Sequence, residues 1–134
     1  MGKLVLDTNA LLRSIPRVSP YHDLYISLFD GRNFLCVSNE ILDEYEEVIE
    51  RHVNSVIAKS IIEQILNNPY TLLITPYFSY NLIQADPDDN KFVDCAMASD
   101  AKFIVTEDKH FQILNEIDFP KIDIITLDEI IKLI

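Results

Sequence analysis

Glycine, cysteine and basic residues are all scarce in this chain. Two glycines among 134 residues exclude a collagen-like repeat, and two cysteines exclude a disulfide-stapled secreted scaffold. Eleven lysines and arginines face twenty-two aspartates and glutamates, a formal net charge of −11. A general cationic grip on nucleic acid is therefore absent, because phosphate affinity comes largely from Lys and Arg. No apolar run approaches the roughly 18 to 20 residues needed to span a bilayer. Asp7 falls inside what would be the apolar region of a signal peptide, and Leu6 stands where N-myristoylation needs Ser or Thr. The chain reads as a soluble, cytoplasmic protein with no membrane role. Cys36 and Cys95 lie in apolar stretches and are expected as reduced, packed thiols.

What is present is a globular composition, 49% hydrophobic and 25% charged, of a length expected to form a single domain over residues 1–134. Apolar runs predict strands at Lys3–Leu6, Phe34–Val37, Thr71–Thr75, Phe103–Thr106 and Ile122–Ile125. Between them, helices are predicted over Asn9–Arg13, from Ser19-Pro20 to a stop at Gly31, and from a Ser38 cap along Ile41, Leu42, Tyr45, Val48 and Ile49. Others follow over Val56–Leu66, Asn90–Ser99 and Lys109–Glu116, and from a Thr126 or Asp128 cap to the end. Residues 77–89 read as irregular and turn-rich. Strands that are apolar throughout, alternating with helices, predict a three-layer α/β/α sandwich around a mainly parallel sheet.

In such a sheet the ligand site lies beyond the carboxyl ends of the strands. Asp7 follows the first strand and Asp108 the fourth. A lone aspartate there is as readily a solvated loop residue or a helix cap. Asp7, however, stands between an apolar strand and Ala10-Leu11-Leu12, where a charge needs a partner. On the helix after Ser38, Glu44 and Glu46 each lie roughly 100° from the centre of the apolar stripe, on opposite sides, and the wheel leaves the choice open. At the next helix, Asp89 is in line with Phe92, Val93 and Ala96, whereas Asp94 is roughly 140° round. Asp89 is therefore favoured, with helix capping the alternative for Asp88 and Asp89. Four acids at one sheet edge would repel one another, and a hard divalent cation relieves that repulsion. Such ions drive phosphodiester chemistry.

The segments LVLDTNALL, SNEILDEYEEVIER and DPDDNKFVDCAMASDAKFIVTEDKHF together resemble the PIN-domain ribonucleases, in particular the toxin components of prokaryotic toxin–antitoxin pairs. The resemblance spans nearly the whole chain. It maps Asp7, Glu44, Asp89 and Asp108 onto the family's four catalytic, metal-binding acids, which settles Glu44 over Glu46. Asp7, Asp89 and Asp108 would be direct ligands of Mg²⁺ or Mn²⁺, and Glu44 a ligand or an orienter of the attacking water. Asn9 and Thr106 would support them through hydrogen bonds. The resemblance further implies hydrolysis of single-stranded RNA or tRNA, a homodimer, and inhibition by a cognate antitoxin protein.

Glu107 and Asp94 add acids where relatives carry small or apolar residues. Lys91, Lys102, Lys109 and His110 are the bases expected nearest the site, so RNA binding should be weak and salt-sensitive, or depend on a particular substrate. His22, His52 and His110 lack metal-ligand spacing and read as structural or solvated. Three rivals compete with the nuclease. An aspartyl-phosphate phosphatase calls for an acid where Asn9 stands, and a phosphoacceptor receiver domain wants paired acids at the first strand end. The third rival is a degenerate binding module that keeps the fold without turnover.

Overall fold

The structure is a computed structural model that describes residues 2–118 and 121–134. Five strands form one all-parallel sheet: β1 (Lys3–Leu6), β2 (Phe34–Val37), β3 (Thr71–Leu73), β4 (Phe103–Val105) and β5 (Ile124–Ile125). Their spatial order is β3-β2-β1-β4-β5. Residues 4–6 of β1 and 35–37 of β2 are all buried although successive side chains point to opposite faces, so both faces of the sheet are covered. This is the layered parallel α/β architecture expected from the sequence.

Among the described residues, five α-helices lie between the strands, α1 (Thr8–Ser14), α2 (His22–Ser27), α3 (Asn39–His52), α4 (Ser55–Asn67) and α5 (Asn90–Ser99), and α6 (Leu127–Leu133) follows the last strand. Ser38 caps α3 and Thr126 caps α6, the latter in a reciprocal capping box with Glu129. The expected start at Ser19-Pro20 is replaced by a turn. The Ser19 hydroxyl donates to the Arg13 carbonyl at 2.5 Å and accepts from the Tyr21 amide at 3.1 Å, so α2 begins only at His22. It ends at Ser27, short of Gly31, whose φ of +90° strains any residue with a side chain and whose Cβ would press the Tyr70 ring at 3.0 Å.

Lys109–Glu116 is a 3₁₀ segment in place of the expected α-helix. Its two buried side chains, Phe111 and Leu114, are three residues apart, which matches three residues per turn. The last strand holds only Ile124–Ile125 of the expected four residues. Cys36 and Cys95 are buried free thiols, and burial pushes Cys95 up to about 12. Among the described residues, no helix is long and apolar enough to cross a membrane.

The strand order reverses its direction of growth at β1, which carries β2 on one side and β4 on the other. The crevice of an open parallel sheet lies at such a switch point, outside the carboxyl ends of the strands. Asp7 and Asp108 follow those two ends.

Candidate active site

Residue pairing brings the first acid and its support together. Leu6 pairs with Val105, and the Asp7 amide donates to the Val105 carbonyl at 3.1 Å, which sets Asp7 beside Thr106. The Thr106 hydroxyl donates to Asp7 Oδ2, and the Ala10 amide donates to Oδ1 at 2.8 Å as α1 begins. Asp7 is thus buried, and burial raises its pKa. Thr106 and Ala10 oppose that rise, while the charges of Asp108 and Glu107 add to it. The Asp108 amide donates to the same Thr106 oxygen at 3.0 Å, so one hydroxyl aligns two acids.

Glu44 arrives on α3. Tyr45, its fully buried neighbour, donates its hydroxyl to the Leu6 carbonyl at 2.5 Å and fixes the helix against the end of β1. Glu44 accepts from the Thr8 hydroxyl and lies 2.7 Å from Lys91 Nζ. Glu46 takes no part. Asp89 closes the 3₁₀ segment Pro87–Asp89 just before α5. The Asn90 side chain stitches this turn to the preceding loop, accepting from the Ile83 amide and donating to the Ile83 and Pro87 carbonyls. Asp86, not Asp88 or Asp89, supplies the capping oxygen of the 3₁₀ segment.

Asp7, Glu44, Asp89 and Asp108 line one cavity of about 390 Å³, together with Thr8, Asn9, Glu47, Val48, Arg51, His52, Asp86, Asp88 and Phe92. Asp89 Oδ2 is buried without a hydrogen-bond partner among the described residues; its nearest base, His110 Nδ1, is 3.5 Å away. Burial pushes Asp89 up to about 6. Asp86 and Asp108 add to the rise, and His110 opposes it. Ligand atoms of Asp86, Asp89 and His110 all lie within 4.8 Å of one another. Two carboxylates and an imidazole beside further acids, with an orphaned carboxylate oxygen among them, suit a divalent cation.

Several residues differ from their sequence-based roles. Asn9 is exposed on the cavity wall, and Thr8, not Asn9, donates to Glu44. Lys102 lies at the opposite end of the sheet, its amide donating to the Lys3 carbonyl at 2.8 Å, because it precedes β4 where Asp108 follows it. Arg51 and His52 line the cavity instead, carried there on the last turn of α3. Asp94 turns away and accepts from the Tyr80 amide at 3.0 Å, while Glu107 pairs with Arg13 at 3.6 Å. His22 and His52 contact backbone carbonyls, of Ser14 and Val48. His110 departs from its expected structural or solvated role: folding brings it, though distant in sequence from Asp86 and Asp89, 3.5 Å from Asp89 and 3.4 Å from Asp108, in a group able to hold a metal ion.

The PIN-domain family profile matches residues 3–110. The chain belongs to the PIN-domain family. The matched span runs from β1 through Asp108 and so contains all four acids. Solved structures of similar fold include VapBC2 from Rickettsia felis bound to a DNA fragment from its promoter, at 16% identity and a TM-score of 0.64 over 92% of this chain and 98% of that one. DNA-bound VapBC from Salmonella typhimurium is similar at 19% identity and a TM-score of 0.63 over 95% and 99%. The PIN domain endonuclease Utp24 is similar at 17% identity and a TM-score of 0.55 over 92% and 84%. A search of curated proteins gives no significant match.

Proposed function

We propose that this PIN domain is a metal-dependent endoribonuclease that hydrolyses single-stranded RNA or tRNA through Asp7, Glu44, Asp89 and Asp108. The observation that carries the reading is the convergence of these acids on one cavity, with a buried Asp89 oxygen lacking a hydrogen-bond partner among the described residues. The family match supports a nuclease, as does the likeness to an endonuclease of the same fold. Mg²⁺ or Mn²⁺ bound at the acids would supply an activated water and neutralise charge at the scissile phosphate.

The chain's own groups do the holding. Thr106 orients Asp7 and the Asp108 backbone, and Asn90 fixes the turn that presents Asp89. Glu44 is placed to ligate the ion or to orient the attacking water and accept its proton. Arg51 and His52 are the bases on the cavity wall available to a substrate phosphate. With so few cations the grip is weak and salt-sensitive. The likeness to VapBC assemblies supports a toxin role with a protein antitoxin as partner; a homodimer and a cytoplasmic location belong to the same proposal.

The reading is tested by supplying single-stranded RNA, double-stranded RNA and single-stranded DNA with Mn²⁺ or Mg²⁺ at low salt. Endonucleolytic cutting confined to single-stranded RNA supports it. RNA retention without cutting under every metal condition supports the binding module instead.

A further inference from the structure

Lys91 is a base set among acids on the first turn of α5. Its side chain is only 9% exposed, its Nζ lies 2.7 Å from Glu44 Oε1 and 3.0 Å from Asp88 Oδ2, and it donates to the Asp88 carbonyl at 3.1 Å. The other Glu44 oxygen accepts from Thr8. Glu44 therefore has both oxygens partnered, one of them by a full positive charge that is too enclosed to swing away.

The aspartates are held differently. Asp7 accepts from a neutral hydroxyl and a neutral amide, and Asp108 from the His110 amide at 2.9 Å. Neutral donors orient a carboxylate and leave its charge in place. Asp89 Oδ2 has no hydrogen-bond partner among the described residues, and the base near Asp89 and Asp108, the His110 ring at 3.5 and 3.4 Å, is 43% exposed where Lys91 is enclosed. A cation drawn to this cavity meets uncompensated charge at the aspartates. At Glu44 it meets an ammonium already in contact.

We propose that Lys91 is a positioning residue that divides the site. It holds Glu44 out of the metal's ligand set and aimed at the attacking water, and it leaves Asp7, Asp89 and Asp108 to carry the ion. This rests on the nuclease reading above.

The test is Mn²⁺ affinity by calorimetric titration of the purified full chain, with folding checked by circular dichroism. Asp89→Asn should weaken Mn²⁺ binding about 10- to 100-fold, whereas Glu44→Gln should leave it within about threefold. Lys91→Met should tighten binding by releasing Glu44 to the ion, and the gain should vanish in the Lys91→Met/Glu44→Gln double variant. Lys91→Arg, which keeps the charge, should bind as wild type does. Equal losses in Glu44→Gln and Asp89→Asn would overturn the division of labour, as would weaker binding in folded Lys91→Met. A wild-type chain that binds no Mn²⁺ would overturn the metal reading itself and this proposal with it.

Discussion

Thr106 donates its hydroxyl to Asp7 across the β1–β4 switch point, and its oxygen also accepts the Asp108 amide. Two strand ends and two acids thus depend on one side chain. Thr106→Val keeps the shape and removes the hydroxyl, leaving a buried carboxylate oxygen without its donor. The expected cost is about 1–3 kcal/mol of stability, with Mn²⁺ affinity reduced about tenfold. Urea unfolding and metal titration measure the two effects, and a variant unchanged in both would contradict the assigned role.

On the proposed metal-dependent reading, Asp89 links metal binding to pH. Its pKa is raised to about 6 in the fold, against about 3.9 for an unfolded chain. Between these values the folded state binds the extra proton, so ionising Asp89 costs stability as pH rises through this window, and the cost is complete above it. Without metal, the wild-type melting temperature should fall from about pH 5 to about pH 7.5 by more than that of Asp89→Asn. Mn²⁺ should restore the loss at the higher pH in wild type alone. Thermal melts with EDTA and with Mn²⁺ check both statements, and identical pH profiles for the two proteins would refute them.

The Tyr45 hydroxyl ties α3 to the Leu6 carbonyl directly before Asp7. Tyr45→Phe should lower stability by about 1 kcal/mol, the net value of a hydrogen bond. Because Glu44 keeps its Thr8 and Lys91 partners, cleavage should fall only modestly. A chemical denaturation curve and a cleavage rate separate these outcomes.

Asn90 makes three hydrogen bonds that hold the turn before α5. Asn90→Ala should open residues 79–88 to limited proteolysis well before the sheet unfolds, and should weaken metal binding through Asp89. Cleavage mapping by mass spectrometry checks the first effect. Protection equal to wild type would show that the loop is held by other means.

Much of this was legible in the residues. Fully apolar strands announced a doubly covered parallel sheet, and the acids at the ends of β1 and β4 fell at its carboxyl edge because topology alone puts them there. The helical wheel favours Asp89 over Asp94, and in the structure Asp89 lines the cavity with Asp7 while Asp94 accepts from the Tyr80 amide. It could not separate Glu44 from Glu46, because both flank the stripe; the side of α3 facing β1 depends on tertiary packing. Sequence nearness to Asp108 suggests a place for Lys102 at the site, but β4 lies between them and sets the two at opposite ends of the sheet. Lys91 and His110 stand out in the sequence as bases, but their pairing with Glu44, Asp88 and Asp89 arises only when α3, α5 and the 3₁₀ segment after β4 meet. The 3₁₀ winding of Lys109–Glu116 had one signal, the three-residue spacing of Phe111 and Leu114.

In the proposed function, the acid cluster of Asp7, Glu44, Asp89 and Asp108 cuts RNA only with a divalent cation bound. The most direct test compares wild type and Asp7→Asn, purified in parallel, on total cellular RNA at low salt with Mn²⁺ or with EDTA. The account predicts cutting by wild type in Mn²⁺, and none in EDTA or by the variant. Equal cutting by both proteins, or cutting that survives EDTA, would contradict it.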